Sequence, residues 1–125
     1  MKRSHAGLGV MLLGAAVVAA PPALSHHSFA MFDAQKEVEL VGTVREFQWT
    51  NPHSWLQVTV PRGRANVEYS IELGSPNSMS RRGWRRTTFK PGDKVTLVMN
   101  PMRDGSPGGS LVYALDPQGK RWAWR

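Results

Sequence analysis

Three of the four histidines offer the first chemistry in this chain, because imidazole nitrogens are common metal ligands. His26 and His27 are adjacent, and His53 lies further along. If the chain were cut before His26, that residue would carry a free α-amine beside its imidazole, and the two together form a chelate. Nitrogen-rich sites suit copper(II), which heads the divalent affinity order. The histidines predict a copper(II) site of His26, His27 and His53, and the alternative is a solvated tail with one hydrogen-bonded turn histidine.

A second set of residues suggests a ligand-binding face. Asn51, His53 and Trp55 surround one turn signal, and Arg103 with Asp104 opens a loop rich in glycine. The Trp55 ring offers a stacking surface for a sugar or a base, and the Arg103 guanidinium suits an anionic group. The alternative is that the aromatic rings fill the core and the glycines only build a turn.

A third set is both basic and aromatic. Four arginines surround one tryptophan, at Arg81, Arg82, Trp84, Arg85 and Arg86. Guanidinium groups pair bidentately with phosphate and carboxylate groups. The segment therefore predicts contact with an anionic envelope component or an acidic protein. A solvated helix end with Trp84 packed inward is the alternative.

The first 25 residues have the three parts of an export signal. Two basic residues follow the initial Met, residues 8–20 form an apolar run, and Ala23 and Ser25 fit the −3 and −1 positions of a cleavage site. We expect cleavage between Ser25 and His26, giving a periplasmic or secreted protein for which nucleic acid is a poor partner. The apolar run is shorter than the about 20 residues of a membrane span, and the sequence predicts no transmembrane segment in the mature chain.

Composition narrows the class further. Removal of the signal would leave 100 residues, with 14 Lys and Arg against 9 Asp and Glu, a formal net charge of +5. This length suits one domain with one modest core. The absence of cysteine excludes disulfides, thiolate metal sites and cysteine nucleophiles. Because metalloprotease and phosphate-loop motifs are also absent, we predict a binding module, or a small structural protein of the envelope, and not an enzyme.

The elements that must position these residues are mostly short strands. Alternating hydrophobicity and turn signals predict strands over 37–49, 53–60, 66–73, 94–100 and 111–115. Ser75 and Pro76 suit the start of a short helix that Gly83 would end. A change of hydrophobic parity within the first strand predicts a bulge or a bend, with Gly42 as the point of deformation.

Five strands with a helix between the third and fourth match an all-β domain of OB type, a five-stranded barrel. An SH3-like barrel and a small open β-sandwich are the alternatives. The predicted organisation is a signal at 1–25, an N-terminal lead-in at 26–36 and the barrel at 37–125. In an OB-fold the loops after strands one and four border the ligand face. The predicted core is Val38, Leu40, Val44, Leu56, Val58, Val67, Tyr69, Ile71, Val95, Leu97, Leu111 and Tyr113.

Four segments resemble a known family. They are HHSFAMFD at 26–33, WTNPHSW at 49–55, GSPN at 74–77 and DGSPGGSL at 104–111. They are similar to a family of small exported proteobacterial proteins of unknown function, and the resemblance spans the mature chain. It implies export and a compact β-rich domain, and it implies neither an activity nor a catalytic residue.

Overall fold

The computed structural model describes residues 29–125, where the alternating segments form strands. They are β1 (Val38–Gln48), β2 (Trp55–Arg62), β3 (Ala65–Glu72), β4 (Lys94–Pro101), β5 (Gly108–Leu115) and β6 (Arg121–Ala123). Helix α1 spans Pro76–Ser80, and a short 3-10 helix spans Phe29–Met31. The predicted signal, its cleavage point, His26 and His27 lie outside the described residues.

The strands close into a barrel of OB type, which confirms the predicted fold class. The sheet order is β3-β2-β1-β4-β5-β6, and β3 also pairs with β5 in parallel, so the first five strands form a closed ring. The long β1 serves two neighbours. Residues 38–43 pair with β4, and residues 43–48 pair with β2. Closure removes the exposed edges that the barrel strands would otherwise present.

The change of parity in β1 is a β-bulge, as predicted, but it lies elsewhere. The β1–β2 register shifts between Val44 and Glu46, two to four residues beyond Gly42. Gly42 instead permits close packing, because a Cβ there would lie 2.6 Å from the Thr59 carbonyl oxygen. The bulge changes which face the later side chains of β1 occupy.

The starts of β2 and β5 differ from the predictions by two and three residues. His53 lies in the β1–β2 connection, and β2 begins at Trp55. β5 begins at Gly108 rather than Leu111, because residues 108–110 pair with the end of β3. The connection between β2 and β3 is a two-residue hairpin loop in which Gly63 has a φ of 61°, and a positive φ at the first loop residue suits a type II′ turn.

Helix α1 is capped as the sequence predicts. The Ser75 side chain accepts a hydrogen bond at the helix start. After the last helical residue, the Gly83 N–H donates to the Ser80 carbonyl (3.0 Å) and the Trp84 N–H donates to the Met79 carbonyl (3.1 Å). This pair of bonds is a Schellman motif with Gly83, at a φ of 88°, in the left-handed position. No helix in residues 29–125 has the length and apolar character needed to span a membrane.

The core contains eight of the twelve predicted residues, while Val38, Val67, Tyr69 and Tyr113 are half-buried. The sequence analysis missed nine buried hydrophobic residues, which are Phe32, Val60, Leu73, Met79, Trp84, Phe89, Val98, Met99 and Ala114. Several of these come from the segment between β3 and β4, whose hydrophobic side chains have no strand-like alternation.

Trp84 is the centre of an aromatic cluster at the α1 end of the barrel. Its side chain is fully buried, and its ring centroid lies 5.4 Å from that of Trp122 and 5.9 Å from that of Phe89. The Trp84 Nε1–H donates to the Ala123 carbonyl at 3.0 Å. This bond fastens β6 to the segment after α1, so the chain tail completes the core.

Replacing Trp84 with alanine should therefore lower the free energy of unfolding by about 3–5 kcal/mol, the usual cost of removing a buried aromatic ring. Trp84→Phe should lose less, because a ring remains and only the bond to Ala123 is lost. Urea unfolding followed by circular dichroism measures both changes. The control is Arg86→Ala, which removes an exposed side chain and should change stability by no more than about 0.5 kcal/mol. Equal losses for Trp84→Ala and Arg86→Ala would contradict the assignment of Trp84 to the core.

Candidate functional site

A pocket of about 150 Å³ lies on the outside of the barrel, beside the seam where β3 meets β5. Its lining combines β2, β3, the β4–β5 loop and the segment before β1. The lining residues are Met31, Phe32, Trp55, Ser70, Met102, Ser106, Pro107 and Gly108. Most of these groups are apolar, and the two serines contribute hydroxyls. The position is the face where OB-folds bind their ligands.

Trp55 reaches this pocket because it is the first residue of β2 and alternates with the buried Leu56. Of the five residues predicted to bind a ligand, Trp55 is the one that lines the pocket. Its ring is half-buried, so one part of the indole is held by the protein and another part faces the pocket. A stacking role for this ring stays a prediction.

Asn51 and His53 lie next to the pocket without lining it. Asn51 is exposed and precedes a cis peptide bond to Pro52. His53 is half-buried, and its Nδ1 lies 2.5 Å from Oε1 of Glu72. Glu72 is also the cross-strand partner of Trp55, so His53 is held close to the tryptophan by a neighbouring carboxylate.

Arg103 and Asp104 form the framework of the pocket rather than its wall. The Arg103 Nε–H donates to the Ala30 carbonyl, and the Arg103 backbone N–H donates to the Met31 carbonyl, both at 2.9 Å. Asp104 Oδ1 accepts from the Ser106 hydroxyl at 2.6 Å and from the Ser106 N–H at 2.9 Å. These contacts show that both residues shape the loop, and ligand binding by their exposed side chains stays a prediction.

Seven lining residues were not among the five predicted to bind a ligand. Three of them, Ser106, Pro107 and Gly108, belong to the glycine-rich loop that the sequence analysis singled out, and the other four are Met31, Phe32, Ser70 and Met102. Phe32 forms an isolated β-bridge with Met102, and the Asp33 N–H donates to the Pro101 carbonyl at 2.8 Å. These contacts dock the predicted lead-in against the end of β4. Alternation along β3 does place Ser70 on the outer face, and this signal was available. No local sequence pattern predicts that residues 29–33 pack against the end of β4.

A chain of amide and hydroxyl groups leads from the pocket across the outer face of the sheet. The Ser70 hydroxyl donates to Oε1 of Gln57 at 2.6 Å, and Gln57 Nε2 donates to Oε1 of Gln48 at 3.1 Å. The three residues belong to β3, β2 and β1 in turn. The chain offers neutral polar groups beside the indole of Trp55.

The carboxylates on this face are paired. Glu68 accepts from the Arg45 Nε–H at 2.9 Å and from the Thr59 hydroxyl at 2.5 Å, and Glu72 lies against His53. Neither carboxylate lines the pocket, whose lining residues are all uncharged.

The basic segment forms a separate surface. Arg81, Arg82 and Arg86 are exposed, and no carboxylate of residues 29–125 forms a salt bridge with them. Arg85 is exposed too, but its Nη1 donates to the Ser80 and Trp84 carbonyls at 3.3 and 2.8 Å. Binding of an anionic partner here stays a prediction. Trp84, however, is in the core and cannot contact such a partner directly, which corrects its place in the predicted patch.

The predicted copper site is only partly within the described residues. His53 is described, whereas His26 and His27 are not. Within residues 29–125, no group of three or more His, Asp or Glu side chains is arranged to hold a metal ion. Of the three predicted ligands, the structure positions His53, whose Nδ1 lies against Glu72.

The fold and the pocket define a small OB-type barrel with a ligand-sized cleft on its outer β2–β3 face. A family model described as a family of unknown function, DUF6152, matches residues 15–111. The match covers most of the chain, and the protein belongs to this family, which confirms the resemblance at that level. Searches of curated proteins and of solved structures returned no match.

The loop beside the pocket gives a prediction about acid stability. Two hydrogen bonds from Ser106 hold the pKa of Asp104 below its ordinary value of 3.8. The bond from the hydroxyl has the larger effect, and the bond from the backbone N–H has the smaller one. Because the folded-state pKa is depressed, the stabilisation is complete above the unfolded-state value and is lost as the pH falls through the folded-state value. Ser106→Ala should raise the pKa of Asp104, and the variant should lose less stability than the wild type on acidification below about pH 4.

Carboxyl ¹³C NMR titration measures the pKa of Asp104 directly, and urea unfolding at neutral and acidic pH measures the linked stability. The control is Ser80→Ala, which removes an exposed hydroxyl from α1 and should leave the Asp104 titration unchanged. A wild-type titration curve in Ser106→Ala would show that the hydroxyl does not control this carboxylate.

Proposed function

We propose that this protein is a non-enzymatic binding module of the periplasm and that its ligand enters the pocket beside Trp55. The observation that carries the proposal is the position of the pocket, on the β2–β3 face and against the β4–β5 loop. OB-folds use this face and this loop for ligands. The export signal predicted in residues 1–25 supports the location.

The size of the pocket limits the ligand. Pockets for drug-sized molecules usually measure about 300–1,000 Å³, and this one measures about 150 Å³. The ligand is therefore a small molecule or ion, or the end group of a larger molecule whose remainder lies on the outer face. The amides of Gln48 and Gln57 would meet such a remainder.

The environment of the two pocket hydroxyls supports binding over catalysis. A serine nucleophile needs a base within hydrogen-bond reach. The Ser70 hydroxyl donates to the amide of Gln57, which is not a base. The Ser106 hydroxyl donates to Asp104, whose lowered pKa makes it a weak base.

The experiment uses the processed protein, ¹⁵N-labelled, and the low-molecular-mass fraction of a periplasmic extract as the probe. Addition of this fraction should shift the amide NMR signals of the pocket residues, with the largest changes at residues 31–32, 55, 70 and 102–108. Native mass spectrometry of the same sample gives the mass of the bound species. Trp55→Ala should abolish the shifts, because the indole forms one wall of the pocket.

The matched control is Trp49→Ala, which removes a half-buried tryptophan that does not line the pocket. This variant should keep the shifts, provided that its circular dichroism spectrum is unchanged. The absence of shifts at the pocket in the wild type, or equal shifts in Trp55→Ala, would contradict the proposal.

Copper(II) binding at a processed N-terminus is the second candidate function, and the position of residues 29–33 favours it. Met31 and Phe32 share the pocket with Trp55, so the described chain begins near the start of β2, which His53 precedes by two positions. Phe29 follows His26 by three positions, a span of roughly 10 Å when extended. In addition, His53 Nδ1 faces the Glu72 carboxylate, the kind of contact that orients metal-binding histidines.

A copper(II) titration of protein that begins at His26 tests this candidate, beside protein with one additional N-terminal residue. The extension should weaken binding sharply, because the α-amine no longer belongs to His26. His53→Ala should weaken it in both forms, and affinity should fall as the pH drops through about 6.5, where histidine gains a proton. Equal affinities in the two forms would remove this candidate and leave the pocket proposal intact.

A further inference from the structure

Two methionine side chains share the pocket with Trp55. Met31 reaches it from the segment before β1, and Met102 reaches it from the residue after β4. The two are 71 positions apart in the sequence, and the bridge between Phe32 and Met102 brings them together. The pocket is thus lined by two methionines and one tryptophan.

The exposure of Met31 is unusual for a methionine that only fills space. Met79 and Met99 are 0% and 2% exposed, as core methionines normally are, whereas Met31 is 43% exposed. Among residues 30–125, Met31 and Val41 are the two large hydrophobic residues that remain exposed. The Met31 side chain lies at the mouth of the pocket, where a ligand entering from solvent would meet it.

The backbone around both methionines is held in place. The Met31 carbonyl accepts from the Arg103 N–H at 2.9 Å, and the Met102 N–H donates to the Gly108 carbonyl at 3.1 Å. Gly108 also packs close to Met102, because a Cβ on Gly108 would lie 3.7 Å from Met102 Cγ. Both methionine side chains therefore extend from a backbone held by hydrogen bonds, which limits the conformational entropy lost when a ligand binds.

The chemistry of this set selects a soft cation. Thioether sulfur is a soft, uncharged ligand that favours copper(I) over magnesium, calcium or manganese. The indole face of tryptophan is the best aromatic partner for a cation. The harder ligands in the lining are the two neutral hydroxyls of Ser70 and Ser106, and none of the eight lining residues carries a carboxylate. A volume of about 150 Å³ is ample for a metal ion.

We propose that Met31, Met102 and Trp55 form a binding site for a soft monovalent metal ion, copper(I) or its analogue silver(I). This inference rests on the proposed function, because it assigns a ligand class to the same pocket. It differs from the copper(II) candidate in residues, oxidation state and pH dependence. Thioethers do not titrate, so binding by the two methionines should persist at about pH 5, where histidine ligands are protonated.

Silver(I) titration of the processed protein in halide-free buffer tests the site, with methionine methyl groups labelled with ¹³C. The Met31 and Met102 methyl signals should shift together and saturate at one equivalent, at neutral pH and at about pH 5. The buried Met79 and Met99 are internal controls whose signals should stay in place. Competition with a copper(I) chelator under reducing conditions extends the measurement to copper(I).

Met31→Leu and Met102→Leu remove the sulfur and nearly conserve volume, so the fold should be kept. Each should weaken silver(I) binding by about tenfold or more, equivalent to the loss of one metal ligand. Trp55→Leu removes the aromatic face and should weaken binding by about fivefold. The control, Met99→Leu, removes a thioether that does not line the pocket and should keep wild-type affinity.

No shift of the Met31 and Met102 signals, or equal affinity in Met31→Leu, Met102→Leu and Met99→Leu, would overturn the metal site. A binding loss that tracks protonation of histidine would assign the metal to the histidines instead and would also overturn it. If the metal site fails while components of the periplasmic fraction still shift the pocket amides, the binding-module proposal stands with another ligand. If both responses are absent, the two proposals fail together.

Discussion

The parallel contact between β3 and β5 is the constraint on which this structure depends. Only three residue pairs form it, from Ser70 opposite Gly108 to Glu72 opposite Ser110. Without that contact the five strands would be an open sheet with two edges. The backbones can approach because Gly108 has no side chain, since a Cβ there would lie 2.7 Å from the Ser70 carbonyl oxygen. The closure of the barrel therefore depends on a position that reads as loop in the sequence.

The same seam creates the pocket. Because β5 meets β3 at Gly108, the β4–β5 loop must turn outward over β3, where Ser106 and Pro107 come to face Trp55. The Asp104–Ser106 hydrogen bonds fix the shape of that turn. The segment before β1 then covers the other side through its contacts with Met102 and Arg103. Barrel closure and ligand site thus share one set of residues, so a mutation at the seam would affect both stability and binding.

Local sequence patterns predicted most of the secondary structure. Features that depend on contacts between distant segments of the chain were not predicted. The alternation over residues 66–73 and the Ser75 and Gly83 caps specify their elements without reference to distant residues. The burial of Trp84 is not specified by its neighbours in the sequence, which are mostly arginines. The aromatic rings that bury Trp84 come from β1, β6 and the segment before β4. For the pocket, the sequence pointed to Trp55 and to the β4–β5 loop, which both line it, but Met31 joins the pocket only through a bridge to a strand end far along the chain.

The distribution of tryptophans separates the supporting residues from those available for binding. In a domain without disulfides, Trp84, Trp122 and Trp124 each donate an indole N–H to another part of the chain, and so hold β6 and the tail against the barrel. No such bond is formed by Trp55, which stands on the outer face beside an exposed thioether. Burial of apolar surface stabilises a protein by roughly 25 cal/mol per Å². The exposed part of Met31 beside Trp55 does not contribute the stabilisation that its burial would give. The ligand proposed for the pocket would cover this apolar surface.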